Sequence, residues 1–184
     1  MPSDQLTDLA TLASSYAPRG PAPVHLWNPP FCGDLDIVIK RDGSWFHEGR
    51  PIRRREFVKL FSSILKKEDN RYYLVTPAEK VGITVERCPF IIIGMDVSQQ
   101  NGVQIIRFHT STDEQIIADS EHHLAVEERG EADIPHPVIH VRDDMTGLLN
   151  RAVFYRLAEI AVEHEVKEAP RLGVFSSGIF FSLD

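Results

Sequence analysis

A short pattern occurs twice in this chain, once in each half. Gly49-Arg50-Pro51-Ile52-Arg53-Arg54-Arg55-Glu56-Phe57-Val58-Lys59-Leu60 is echoed by Asp144-Met145-Thr146-Gly147-Leu148-Leu149-Asn150-Arg151-Ala152-Val153-Phe154-Tyr155-Arg156-Leu157. Superimposed, Ile52 meets Leu149, Arg54 meets Arg151, Phe57 meets Phe154, and Leu60 meets Leu157. Each copy has a turn, then a charged helix start, then an apolar stripe at helical spacing. A chain built this way is expected to fold as two related halves, with a helix at an equivalent place in each.

The residues around each copy supply strands. Leu35, Ile37 and Ile39 alternate with Asp36, Val38 and Lys40, the period of a half-buried strand. Asp42-Gly43 turns the chain into Trp45-Phe46-His47. Phe57, Leu60, Phe61, Ile64 and Leu65 predict an amphipathic helix that stops near Lys66-Lys67. Strands are expected at 71–76, 81–86, 90–97 and 103–109, the last two joined by Gln100-Asn101-Gly102, with shorter ones at 124–127 and 138–142. A second helix is expected from Arg151 to His164 with Asn150 as its N-cap, followed by a hairpin around Ser177-Gly178. Before all this, Leu6, Leu9, Ala13 and Tyr16 predict a short helix docked outside the body, and Ala17 to Pro23 a stiff linker.

Composition removes several function classes. A formal net charge of −7 argues against a nucleic-acid polymer or an acidic membrane surface as partner. No apolar run reaches the length of a membrane span, and the N-terminus does not read as a signal peptide. Two distant cysteines, Cys32 and Cys88, read as reduced thiols, so the expected location is cytoplasmic. Among the histidines, 136 and 140 lie too far apart on a strand to share an ion, and 122 and 123 would point to opposite faces. No metal site and no cofactor is therefore expected. Nucleophile elbows, Walker loops and dinucleotide fingerprints are all missing.

The block from Cys32 to Val85 resembles the uncharacterised bacterial family DUF1285. The residues that carry this are Cys32-Gly33-Asp34-Leu35-Asp36, Arg41-Asp42-Gly43-Ser44-Trp45, Gly49-Arg50-Pro51-Ile52 and the run from Arg71 to Gly82. The block from His140 to Phe181 is similar more loosely. The resemblance implies a duplicated core with a C-terminal half superficially like pleckstrin-homology folds. It also implies a nucleotide-like ligand at the interface between the halves and a role in signalling or stress response.

Candidate chemistry is sparse. Arg53, Arg54 and Arg55 fall at a predicted helix start, where cations are disfavoured by the macrodipole but backbone N–H groups welcome an anion. Either they build a phosphate or carboxylate site, or they are a solvated basic turn. Arg54 is singled out because Arg151 matches it. In the run Tyr72 to Lys80, a tyrosine could stack a base and Lys80 could meet a phosphate; equally, the run is a core strand ending in a surface Glu79–Lys80 pair. The expected ligand-binding set is Arg54, Tyr73, Thr76, Glu79, Lys80 and Arg151, with no catalytic residue. Asp34 and Asp36 would share a strand face and provide the carboxylates of a hydrolase or transferase in the competing enzymatic reading.

The expectation is therefore an α+β protein. Residues 1–32 form the helix and linker, 33–85 a first α+β repeat, and 86–184 a second α+β domain, each with a helix packed on an antiparallel sheet. The leading function is non-catalytic binding of a small anionic ligand, nucleotide-based in one version. The alternatives are a protein-interaction module, with a partner chain or a second copy, and the enzyme just named.

Overall fold

The computed structural model describes residues 2–16, 21–127, 135–167 and 169–184. Residues 17–20 of the expected linker lie outside them. The fold is α+β, in two compact units, Met1–Pro89 and Phe90–Asp184.

The first unit runs α1 (Pro2–Tyr16), a 3-10 turn at Val24–Leu26, β1 (Phe31–Ile39), β2 (Trp45–His47), β3 (Arg50–Pro51), α2 (Arg55–Ser63), β4 (Leu65–Glu68), β5 (Arg71–Val75) and β6 (Lys80–Val85). The strands form one sheet in the order β3-β2-β1-β6-β5-β4. Two antiparallel three-stranded meanders are thus joined by one parallel pair, β1 with β6. The expected antiparallel sheet is mixed. The parallel pairing needs a crossover, and α2 lies on it.

Strand alternation sorts this sheet into two faces. One carries Ile37, Ile39, Trp45, Leu65 and Leu74, all buried. The helix α2 covers it, with Phe61 stacked on Trp45 at 6.4 Å and Phe57 on Phe61 at 6.0 Å. Burying each such side chain contributes about 1.5–3 kcal/mol. Helix α1 belongs to this core rather than outside it, because Leu9, Ala10 and Ala13 are buried and α1 touches α2.

The second unit runs β7 (Phe90–Gln100), β8 (Val103–Thr110), β9 (Gln115–Ile117), β10 (Leu124–Glu127), β11 (His136–Arg142), β12 (Met145–Leu149), α3 (Arg151–Glu159), β13 (Val162–Val166), β14 (Ala169–Ser176) and β15 (Ile179–Ser182). Its six-stranded sheet is ordered β10-β11-β12-β7-β8-β9, again two meanders joined by one parallel pair, β7 with β12. Strand for strand, β7–β12 repeat the topology of β1–β6. Helix α3 and the three-stranded sheet β13-β14-β15 follow as an addition. This added sheet is tied to β8: the Gln104 Nε2 donates to the Phe175 carbonyl at 2.6 Å, and the Ile106 amide to the buried Ser176 hydroxyl at 2.9 Å. The pleckstrin-homology likeness expected of this half is not confirmed; α3 is followed by three more strands rather than closing the chain.

The duplication is therefore real, but its frame differs from the sequence echo. In the sheets, α2 sits between the third and fourth strands, whereas the matching connection of the second unit is the loop 118–123, which holds no helix. The echo instead marks a smaller shared piece, a helix followed by a three-stranded meander (α2 with β4–β6, α3 with β13–β15). Even there it is one residue out of step. The N-cap Arg54 corresponds to the N-cap Asn150, and the first helical residue Arg55 corresponds to Arg151. In this frame buried Phe61 matches buried Leu157, while Phe57 and Phe154 are only half-buried.

Both helices end about a turn earlier than their periodicity predicts, at Ser63 and Glu159. In the first, the Ser62 and Ser63 hydroxyls donate to the carbonyls of Lys59 and Leu60. The apolar residues that follow, Leu65 and Val162, then enter strands β4 and β13. Local spacing cannot separate the last helical turn from a strand that begins with the same residue types. The tight hairpins use paired left-handed residues: Asp69-Asn70, Asn101-Gly102 and Ser177-Gly178 all have positive φ.

A Cβ at Gly173 would lie 2.2 Å from the backbone oxygen of Phe181, so Gly173→Ala must force β14 from β15. We expect it to lose about 1–3 kcal/mol in urea denaturation. Asn150→Ala, which removes the cap accepting from the Val153 amide at 2.8 Å, should lose about 1 kcal/mol. Gly94→Ala, whose Cβ would meet only the His109 ring at ordinary contact distance, should be tolerated far better than Gly173→Ala.

Candidate functional site

The face of the first sheet opposite α2 carries charge and aromatic rings. Register sets its members: Lys66 pairs Tyr73, Glu68 pairs Arg71, Tyr73 pairs Gly82, Lys80 pairs Phe31, and Gly82 pairs Asp34. Tyr73 is the centre. Its ring has the Lys80 ammonium at 5.0 Å, the Arg71 guanidinium at 5.5 Å and the Phe31 ring edge-on at 6.2 Å. Arg71 also lies 5.9 Å from the Phe31 ring. Cations at these distances are attracted to the ring faces by about 0.5–1 kcal/mol when exposed.

Two carboxylates hold the cations in place. Glu68 takes Lys66 on one oxygen and Lys80 on the other, both at 2.8 Å. These two lysine hydrogen bonds hold the Glu68 carboxyl below its ordinary value of 4.5, against a weaker push upward from burial. Asp34 takes Arg71 at 2.8 Å. Three cations against two carboxylates leave the cluster one positive charge in excess, on a chain whose net charge is −7.

The structure brings only part of the expected set together. Tyr73 and Lys80 are in contact. Thr76 is fully buried and is a turn device: its Oγ1 accepts from the Ala78 and Glu79 amides, and its own amide donates to the Glu79 carbonyl. Glu79 lines a cleft of about 180 Å³ with Asp8, Cys32, Val81 and the cluster's own Asp34. Three carboxylates make this cleft acidic, and the positive excess lies on the Arg71 side of Asp34. Arg54 caps α2 without a side-chain cap bond, and its guanidinium lies over Phe57 on the helix-covered side, 5.6 Å away. It follows β3, at the far side of the sheet order from β5, and is not part of the cluster. Arg151 is an exposed residue of α3 in the second unit. Asp34 is bonded to Arg71 rather than poised beside Asp36, and the pairing of β1 with β6 shifts register on both sides of it.

Sequence reasoning missed Arg71 and Phe31. Arg71 could have been found, because it is two residues from Tyr73 on one strand and must share its face. Phe31 gave no local signal; its place depends on the parallel pairing with Lys80. Of the histidines, 122 and 140 have rings 6.0 Å apart while 123 packs on Phe181 at 5.3 Å. Among the described residues no group of three or more His, Cys, Asp or Glu side chains is placed to hold a metal ion.

Residues 22–88 match the family description "Domain of unknown function (DUF1285), N-terminal domain", and residues 89–183 match the DUF1285 C-terminal domain. The chain belongs to the DUF1285 family. A DUF1285 protein from Silicibacter pomeroyi DSS-3, solved by crystallography, is 43% identical, with a TM-score of 0.84 over 95% of this chain and 93% of that one. A second DUF1285 crystal structure, from Shewanella baltica OS155, is 27% identical, with a TM-score of 0.53 over 68% of this chain and 91% of that one. No curated protein matches. The boundary between the two DUF1285 domains falls where the two compact units meet in sequence. Among the described residues of this DUF1285 protein, no helix is long and apolar enough to cross a membrane.

Because its folded-state pKa is depressed, Glu68 stabilises the fold above the ordinary glutamate range, and that contribution is lost as pH falls through the folded value. Urea midpoints measured from roughly pH 7 to pH 3 should fall less steeply in Glu68→Gln than in the wild type.

Proposed function

We propose that the outer face of the first sheet binds a small anionic ligand that carries a flat ring, a nucleotide being the simplest case, without chemically converting it. The observation that carries this reading is Phe31. It is 52% exposed, a large aromatic ring left open to solvent beside the Arg71 guanidinium. A ring can stack on Phe31 while its anionic group meets Arg71, with Lys80 behind. The local excess of positive charge on an acidic protein supports an anion at this place. The reading includes a cytoplasmic location, supported by two free cysteines, Cys32 and Cys88.

The test is thermal unfolding of the full chain with AMP, GMP and inorganic phosphate. A ligand at ten times its Kd should raise the midpoint by roughly 3–5 °C. Arg71→Ala and Phe31→Ala should abolish the shift, and Arg54→Ala should keep it. If no anion moves the midpoint, or if Arg54→Ala alone abolishes the shift, the reading fails. Turnover of the nucleotide over hours would replace it with the enzymatic one.

A further inference from the structure

We infer that Asp34 is a built-in competitor for this anion seat, and that the ligand group which displaces it is a phosphate monoester rather than a carboxylate. The inference rests on the anion-binding reading above and extends it to one residue and one chemical class.

Asp34 occupies a place that only glycine leaves open. The Asp34 Oδ1 lies 2.0 Å from where a Cβ on Gly82 would be, and the Arg71 Nη2 lies 3.3 Å from the same point. The carboxylate therefore rests on the bare backbone of β6, against the guanidinium. Local backbone geometry puts it there. Gly33 has a φ of +104°, and the pairing of β1 with β6 shifts register on either side of Asp34. This irregularity turns an exposed strand residue across its neighbour.

The contact is built to be given up. The Asp34 and Arg71 side chains are 66% and 56% exposed, and pairs of this kind contribute little. Among the described residues the guanidinium makes a single hydrogen bond, from Nη2 to Asp34 Oδ1. The remaining N–H groups of the fork match the two-oxygen geometry of a phosphate. An incoming carboxylate would exchange one monoanion for another and gain little. A phosphate monoester brings up to two charges and three acceptor oxygens, enough to engage the fork and to attract Lys80. Asp34 thus sets a charge threshold for entry.

Isothermal titration of the full chain with inorganic phosphate and with acetate tests this. The wild type should bind phosphate and show no acetate binding. Asp34→Asn should bind phosphate about fivefold tighter, the factor that corresponds to loss of a surface ion pair, and should gain detectable acetate binding. Gly82→Ala, whose methyl fills the seat, should bind neither while keeping the wild-type circular dichroism. If the wild type binds phosphate and Asp34→Asn binds it equally or more weakly, the competitor is refuted while anion binding stands. If Gly82→Ala binds phosphate as the wild type does, the seat is not over Gly82 and the inference falls. If neither wild type nor Asp34→Asn binds phosphate, both the inference and the reading it rests on fall together.

Discussion

The parallel pairing of β1 with β6 is the contact on which the first unit depends. Without it the unit would be two separate antiparallel three-stranded meanders, each with only half the face to offer the helices. The pairing makes one six-stranded sheet with a face wide enough for α2 and α1, so Ile37, Ile39 and Leu74 reach full burial. It also sets the opposite face. Phe31 lies beside Lys80 and Asp34 beside Gly82 only because these two strands run side by side. Core and candidate site are two sides of one pairing, and a slip of one residue would exchange them.

Much of this was legible in the sequence, and what was not has a physical explanation. Strands with alternating burial and turns with Asn-Gly or Ser-Gly announced themselves, because their signals lie within a few residues. The helices were found with their apolar stripes but extended too far, because Leu65 and Val162 continue a helical pattern while pairing as strands. The echo correctly indicated duplication, yet its most visible match, Arg54 with Arg151, joins an N-cap to a first helical residue. The parallel pairs left no local trace. They determine both which meanders combine and which polar residues meet, so of the expected set only Tyr73 and Lys80 come together in the cluster.

The cluster around Tyr73 shows how an acidic protein can present a cationic surface. Each cation is kept in place by a ring, a carboxylate or both, so none relies on an isolated surface pair. Lys80 is shared between Glu68 and Tyr73, and Arg71 between Asp34, Tyr73 and Phe31. The two halves of the arrangement differ in accessibility. Lys80 and Glu68 are largely covered, with their contacts closed, whereas Phe31, Arg71 and Asp34 stand open. This gradient gives the face a covered floor and an exposed rim.

The described strands form five antiparallel meanders, and that bears on how the chain reaches its native state. Within a meander every pairing is between strands that neighbour in sequence, so little chain has to be closed to form it. The two parallel pairs are different: they join residues such as Phe31 with Lys80, and Phe90 with Gly147, across most of a unit. Loop-closure entropy opposes these contacts most, and contact order assigns them the slowest kinetics. The meanders can therefore form early and independently, and the commitment of each unit waits on one strand pair. Until that pair forms, β1 and β6, or β7 and β12, each keep one open edge, and open edges of this kind are templates for pairing with another chain.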